Sequence, residues 1–135
     1  MGALIMASAS LLLDSCALIW VATDPKRLTQ AARKALDGAA AWHVSEATVL
    51  ELTLKHAKGK LTFPSPPRVW FSEEFSRWNI KSIPMSREII FRSGELPFHH
   101  EDPFDRLIIA SAMEHALPIV TADGFFGAYP VKVVW

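Results

Sequence analysis

The sequence predicts an α/β domain in which a parallel sheet is covered by helices on both faces. Three observations predict it. Short apolar runs of strand length alternate with segments of helical pattern along the chain, the order that builds parallel sheets. The clearest of those runs is apolar throughout, as a strand buried on both faces is. Finally, 50% of the 135 residues are hydrophobic, enough for one domain to bury roughly two-thirds of its unfolded surface.

Residues 3–22 are mostly apolar, but no Lys or Arg precedes them and Asp14 interrupts them. That fits neither a signal peptide nor a membrane span. Met6 stands where a myristoylation motif needs Ser or Thr. Residues 1–10 read as a short leader or an expression remnant, and residues 11–135 as a single domain. Leu11-Leu12-Leu13 is the first strand, ended by Asp14-Ser15, and Ala17 to Ala22 is the helix after it. Asp24-Pro25 is a turn. Thr29 caps a helix over Gln30 to Leu36, which Gly38 closes from just past its end. Ala41-Trp42-His43-Val44 is the second strand, where His43 is either a half-buried packing residue or a ligand. Ser45 caps the next helix, Glu46 faces its positive end, and Val49, Leu50, Leu52 and Leu54 make it strongly apolar. A Pro-rich crossing from Leu61 to Pro67 leads to a helix over Val69 to Trp78. A short third strand at Ile80 to Ile83 and a helix over Ser86 to Ser93 follow. Asp102 then caps a helix with Pro103 at its first position, continued by Leu107, Ile108, Ala110, Ala112, Met113 and His115. Pro118-Ile119-Val120-Thr121 is the fourth strand, leading into Ala122-Asp123-Gly124, and Val131 to Trp135 is the last.

The formal net charge is zero, so the chain lacks the overall electrostatic signature of a nucleic-acid binder. Contact with nucleic acid would need locally clustered basic residues or a metal bridging to phosphate. The single cysteine, Cys16, excludes an internal disulfide framework and a cysteine-based zinc site, and it suits a reducing compartment. A cytoplasmic location without membrane attachment is expected.

Four carboxylates stand out by position. Asp14 and Asp123 follow apolar strands, at the carboxyl edge where open α/β sheets bind ligands. Asp105 falls in the first turn of a mostly buried helix, so its simplest role is to complement the helix dipole. Helix starts lie on that same edge, which brings it toward the two aspartates. Glu51 sits inside an apolar helix and needs a partner or a metal there. Lys55, four residues on, offers a competing surface pair. Carboxylates gathered in one place repel each other and hold protons more tightly, unless a cation joins them. An all-oxygen donor set favours Mg²⁺ or Mn²⁺ over zinc. Such a site binds phosphate oxygens and activates water. Ser15 and Thr121 are placed to orient the carboxylates or a water.

These stretches resemble the PIN-domain ribonucleases, specifically the VapC-type toxins of bacterial toxin–antitoxin pairs. The matching residues are Leu11-Leu12-Leu13-Asp14-Ser15, Val44-Ser45-Glu46-Ala47 through Leu50-Glu51, Gly59-Lys60-Leu61, Leu96 through Arg106, and Val120-Thr121-Ala122-Asp123. The most specific is His99-His100-Glu101-Asp102-Pro103-Phe104-Asp105-Arg106. The resemblance implies a central parallel sheet of about five strands with flanking helices. It also implies an acidic quartet binding Mg²⁺ or Mn²⁺, and RNA as substrate, single-stranded or structured, tRNA included. Asp14, Glu51, Asp105 and Asp123 fall on the quartet positions. Ser15 stands where threonine is common, and the stretch before Leu11 is longer than such toxins usually carry. A VapB-like antitoxin and a homodimer are the implied partners.

Asp14, Asp105 and Asp123 are therefore expected to hold the metal, with Glu51 completing the site or positioning the attacking water. Arg106 would steady a carboxylate or phosphate, or else sit in a surface ion pair. His99 and His100 line the RNA path or are structural, and Lys58, Lys60 and Arg92 contact phosphate or are merely solvated. Trp20, Trp42, Trp70, Trp78 and Trp135 are scattered and read as core and interface residues. Val69, Trp70, Phe71 and Phe75 are candidates for a dimer face. The alternative function is a catalytically silent binding module whose acidic cleft takes a basic residue from a partner. A haloacid-dehalogenase-like phosphatase is weaker, because its motif needs an aspartate where Cys16 stands.

Overall fold

A computed structural model of the chain describes residues 9–135, so the leader expected at residues 1–10 lies, apart from Ala9 and Ser10, outside the described residues. In chain order the elements are β1 (Leu11–Leu13), α1 (Ser15–Thr23), a 3-10 turn (Pro25–Arg27), α2 (Gln30–Gly38), β2 (Trp42–Ser45) and α3 (Glu46–Ala57). They continue with α4 (Pro67–Arg77), β3 (Lys81–Ile83), α5 (Arg87–Glu95), α6 (Pro103–His115), β4 (Ile119–Val120), a second 3-10 turn (Gly124–Ala128) and β5 (Val133–Val134). The five strands form one sheet in the order β3-β2-β1-β4-β5, and every pairing is parallel. This is the α/β architecture that the alternation of apolar runs and helices predicts.

The three leucines of β1 divide the core. Successive side chains of a strand point to opposite faces. Leu11 and Leu13 pack with Leu18, Leu36, Leu52, Trp70 and Phe71 from α1, α2, α3 and α4. Leu12 packs on the other face with Ile89, Ile108 and Ile109 from α5 and α6, and with Phe126. Leu12 and Leu13 are fully buried, which is why the run carries no polar residue.

The strand order fixes where a site can form. From β1 the chain moves outward through β2 to β3, then returns to place β4 on the other side of β1. The reversal leaves a crevice at the carboxyl ends of β1 and β4, the topological switch point where such sheets bind ligands. Leu13 pairs with Val120 there, and the Asp14 N–H donates to the Val120 carbonyl at 3.1 Å.

Helix starts follow the sequence closely. Thr29, Ser45, Ser86 and Asp102 each accept a backbone N–H of the following helix. Helix ends follow it less well. Gly38 is the last residue of α2 and does not take the left-handed conformation expected of a residue past a helix end. The chain leaves α2 through Ala39 in extended backbone and runs straight on towards β2, so no reversal is needed. The left-handed conformation is used instead by Gly59 after α3, with φ +72°, and by Ala116 after α6, with φ +53°.

The apolar face of α4 also corrects an expectation. Trp70 and Phe71 are 4% and 8% exposed and belong to the core, packed around Phe63, so they form no dimer face; only Val69 of that group is exposed. The tryptophans are less scattered than their spacing suggests: Trp42 stacks on Trp78 at 4.9 Å, and Trp20 meets Trp135 at 5.5 Å. His43 is a half-buried residue of β2 whose Nδ1 is buried without a partner, and burial lowers its pKa. Among the described residues, no helix is long and apolar enough to cross a membrane.

Candidate metal centre

Asp14 is the N-cap of α1, and it uses one oxygen for that. Its Oδ1 accepts the Ala17 N–H at 2.8 Å, while Oδ2 accepts the Thr121 hydroxyl at 2.6 Å. Asp123 is built the same way, its Oδ1 taking the Phe125 N–H at 2.9 Å. The capping and site readings of these aspartates are therefore compatible. Capping uses one oxygen of each; the other meets Thr121 in Asp14 and His100 in Asp123. Thr121 ties the two together, since its hydroxyl donates to Asp14 and accepts the Asp123 N–H at 3.0 Å.

Glu51 reaches the same place from α3. It is 5% exposed, and its Oε1 accepts the Ser15 hydroxyl at 2.6 Å. Thr48 lies beside that hydroxyl at 3.1 Å. Its Oε2 meets the Lys55 ammonium at 2.9 Å, and that hydrogen bond is the main cause of a raised Lys55 pKa. Glu51 thus makes the Lys55 pair that its spacing offered while also lining the cleft of the other carboxylates. Lys55 belongs to the site, which the sequence reading missed although its four-residue spacing from Glu51 signalled it.

Asp105 stands at the third position of α6, behind the cap made by Asp102 to the N–H groups of Phe104 and Asp105. Its Oδ2 lies 3.0 Å from His100 Nε2, and Asp123 Oδ2 lies 3.0 Å from the same nitrogen. One ligand-capable atom from each of His100, Asp105 and Asp123 lies within 4.8 Å of the others.

Asp14, Glu51, Asp105 and Asp123 all line one cleft of about 340 Å³, together with Ser15, Cys16, Trp20, Lys55 and Asp102. Cys16 is exposed and its thiol pKa is raised, by burial first and then by Asp14 and Glu51. The Asp14 carboxyl is pushed up to about 6, mainly by burial; Thr121 and the Ala17 amide oppose the shift, and Asp123 and Glu51 add to it. Asp105 is pushed up to about 7, again by burial first, then by the charge of Asp102, with His100 opposing and Glu51 and Asp14 adding. Crowding of like charge was the cause expected from the sequence. Desolvation exceeds it, because both carboxylates sit against apolar elements rather than in open water.

The remaining sequence candidates lie elsewhere. Arg106 meets neither a carboxylate nor solvent. It is 4% exposed, and its guanidinium donates to the carbonyls of Ser93, Leu96, Pro97 and His100 at 2.7 to 3.1 Å. Phe98 covers it at 3.9 Å. Three of those carbonyls are at or just past the end of α5, so Arg106 serves as the cation at that helix's negative end. Lys58 and Lys60 are exposed beyond the last turn of α3 and do not line the cleft. Arg92 pairs with Glu114 at 3.2 Å and lines a separate depression with Pro118 and Lys132. His99 is exposed against Tyr129 and lines a shallow depression with His100 and Phe125 beside the cleft.

Comparison with known proteins gives a consistent assignment. The family model described as the PIN domain matches residues 11–132. Ribonuclease VapC22 of Mycobacterium tuberculosis is 28% identical over 115 residues, covering 84% of this chain and 87% of that protein. Among solved structures, VapBC2 from Rickettsia felis bound to a promoter DNA fragment contains a chain similar to this one. It matches with a TM-score of 0.67 and 16% identity, over 92% of this chain and 96% of that one. DNA-bound VapBC from Salmonella typhimurium contains another, with a TM-score of 0.69 and 16% identity over 93% and 96%. At such identities the two structures speak for the fold.

Proposed function

The chain belongs to the PIN-domain family, and from that premise we propose that it is a divalent-metal-dependent endoribonuclease, the toxin of a toxin–antitoxin pair. The observation that carries the reading is the convergence of Asp14, Glu51, Asp105 and Asp123 on one cleft at the switch point. Its similarity to Ribonuclease VapC22 supports RNA as the substrate.

The donor set fits a hard cation. Four carboxylates supply oxygen, and two of them carry pKa values of about 6 and about 7, so in the absence of a cation the cleft holds protons near neutrality. A dication relieves that condition, and oxygen ligands suit Mg²⁺ or Mn²⁺. Asp14, Asp105 and Asp123 are the proposed ligands, with Glu51 completing the site. The ion supplies charge against the phosphate oxygens and makes water more acidic.

The chain's own residues do the rest. Thr121 fixes Asp14 against Asp123, and Ser15 holds Glu51 by one oxygen, so the other orients water only when Lys55 releases it. Lys55 occupies that second oxygen here. Lys55 lines the same cleft and is half-exposed, so on RNA binding it would exchange Glu51 for a phosphate oxygen. The hydrogen bonds from Ala17 and Thr121, one to each oxygen, keep the Asp14 carboxylate aimed.

The same cleft accounts for inhibition by a partner. The pairing of Lys55 with Glu51 at the cleft supports a cationic side chain as its occupant. A VapB-like antitoxin presenting a basic residue would compete with metal and RNA at once. In the homodimer that the resemblance implies, Trp70 and Phe71 would stay in the core of each chain.

The test is incubation of the purified chain with a mixed RNA pool and MgCl₂, with EDTA and Asp14→Asn as controls. Mg²⁺-dependent cleavage lost in both controls is expected. Cleavage undiminished by EDTA or by Asp14→Asn contradicts the assignment. Metal binding without cleavage would favour a silent binding module.

A further inference from the structure

Among the described residues, His100 alone places one nitrogen at 3.0 Å from two carboxylates of the cleft, Asp105 and Asp123. The three groups lie close enough to suggest a His-Asp-Asp metal triad. The hydrogen bonding of the ring points elsewhere. The Asp102 backbone N–H is directed at His100 Nδ1 at 3.2 Å, so Nδ1 accepts. A neutral imidazole carries one proton, which this bond assigns to Nε2. Nε2 then has no lone pair to offer a cation; its N–H is directed at Asp123 Oδ2, and Asp105 Oδ2 lies beside it as a charge contact.

The ring has little freedom to turn away. The His100 backbone N–H donates to the Tyr129 hydroxyl at 2.9 Å, and its carbonyl accepts Arg106 at 3.1 Å. Phe125 and Phe126 stand edge-on to the imidazole at 6.1 and 5.8 Å. Asp105 opens α6 and Asp123 follows β4, so the imidazole stands between groups from two elements.

We infer that His100 is a positioning residue of the metal centre: its Nε2–H holds Asp123 by a hydrogen bond, with Asp105 kept at 3.0 Å from the same nitrogen, and it does not ligate the cation. This rests on the metal-site reading given above. Hydrogen bonds of this kind to ligating carboxylates typically govern metal affinity by about 10- to 100-fold.

Long-range ¹H–¹⁵N spectra of the imidazoles during a Mg²⁺ titration test it. The Nε2–H tautomer of His100 is expected in the metal-free protein and again at Mg²⁺ saturation. A Nδ1–H tautomer in the metal-free protein, or loss of the Nε2 proton on saturation, overturns the inference and makes His100 a ligand. Calorimetry with Mn²⁺ gives the second readout. His100→Ala is expected to weaken Mn²⁺ binding by about 10- to 100-fold. His100→Gln, which keeps an N–H at the same reach, is expected to recover part of that loss. Equal Mn²⁺ affinity in wild type and His100→Ala overturns the inference; if that variant does not fold, the spectra and His100→Gln decide. Binding lost in Asp105→Asn but unchanged in His100→Ala removes the role of His100 alone. Absence of any Mn²⁺ binding to wild type removes the metal site itself.

Discussion

Asp14 and Asp105 carry the energetic cost of the site. Their folded-state pKa values, about 6 and about 7, stand above the 3.8 of an unperturbed aspartate, with burial the leading cause in each. The folded protein therefore binds more protons than the unfolded chain between pH 4 and 7, and stability falls as pH rises through a window where the unfolded state has already ionised. Thermal melting in EDTA should show the midpoint dropping across that interval, and saturating Mg²⁺ should restore it at pH 7.5. Apparent Mn²⁺ affinity should rise over the same interval, because metal and proton compete for the same oxygens. Asp105→Asn deletes one of these groups. In EDTA at pH 7.5 the variant should melt at or above the wild-type temperature, while losing more than about a hundredfold in Mn²⁺ affinity. A variant less stable than wild type there would mean that Asp105 is held for folding rather than for a ligand. Much of this was legible in residues, because a carboxylate after a buried strand and another inside a buried helix stand out against their surroundings. Which effect dominates was not, since desolvation depends on what packs over each group.

At the scale of elements, Asp102-Pro103 announced the start of α6 correctly, and with it the position of Asp105. Arg106, the next residue, was not legible. Its partners are backbone carbonyls between Ser93 and His100, and a sequence pattern records side chains rather than the carbonyls left open at a helix end. Arg106 ties the end of α5 to the start of α6 and holds the carbonyl of His100. Arg106→Ala should thus destabilise the fold by about 3 kcal/mol, through several carbonyls left without donors. Arg106→Lys should recover only part of this, as an ammonium cannot serve the same fork of acceptors. Denaturant unfolding measures both, and a change below about 0.5 kcal/mol in Arg106→Ala would contradict the clamp. Loss of Mn²⁺ affinity should accompany the loss of stability, because His100 is held from the same side chain. The Gly38 expectation failed at this scale too: glycine permits a left-handed helix end, but the direct exit through Ala39 towards β2 does not require one.

For the whole molecule, the alternation of strands and helices was readable, but the order of strands was not. Nothing in the local pattern of Leu11–Leu13 or Ile119–Val120 states that the two runs are neighbours. That adjacency is what turns separate strand-end aspartates into one cleft, and the reversal of strand order at β1 is what opens the cleft to a ligand. The fold likeness to chains of the Rickettsia felis and Salmonella typhimurium VapBC structures supports this architecture. Zero net charge has its place in this arrangement: on the proposed reading a cation in the acidic cleft offsets its charge against phosphate, and Lys58, Lys60 and Arg92 stand outside it. The measurement that bears on this most directly is a crystal structure of the protein soaked in Mn²⁺, read by anomalous scattering. The expected result is a Mn²⁺ peak in the cleft, within ligand distance of Asp14, Asp105 and Asp123, with Glu51 closing the shell. A saturated crystal with no peak there, or with one held only by residues outside the four carboxylates, would contradict the account.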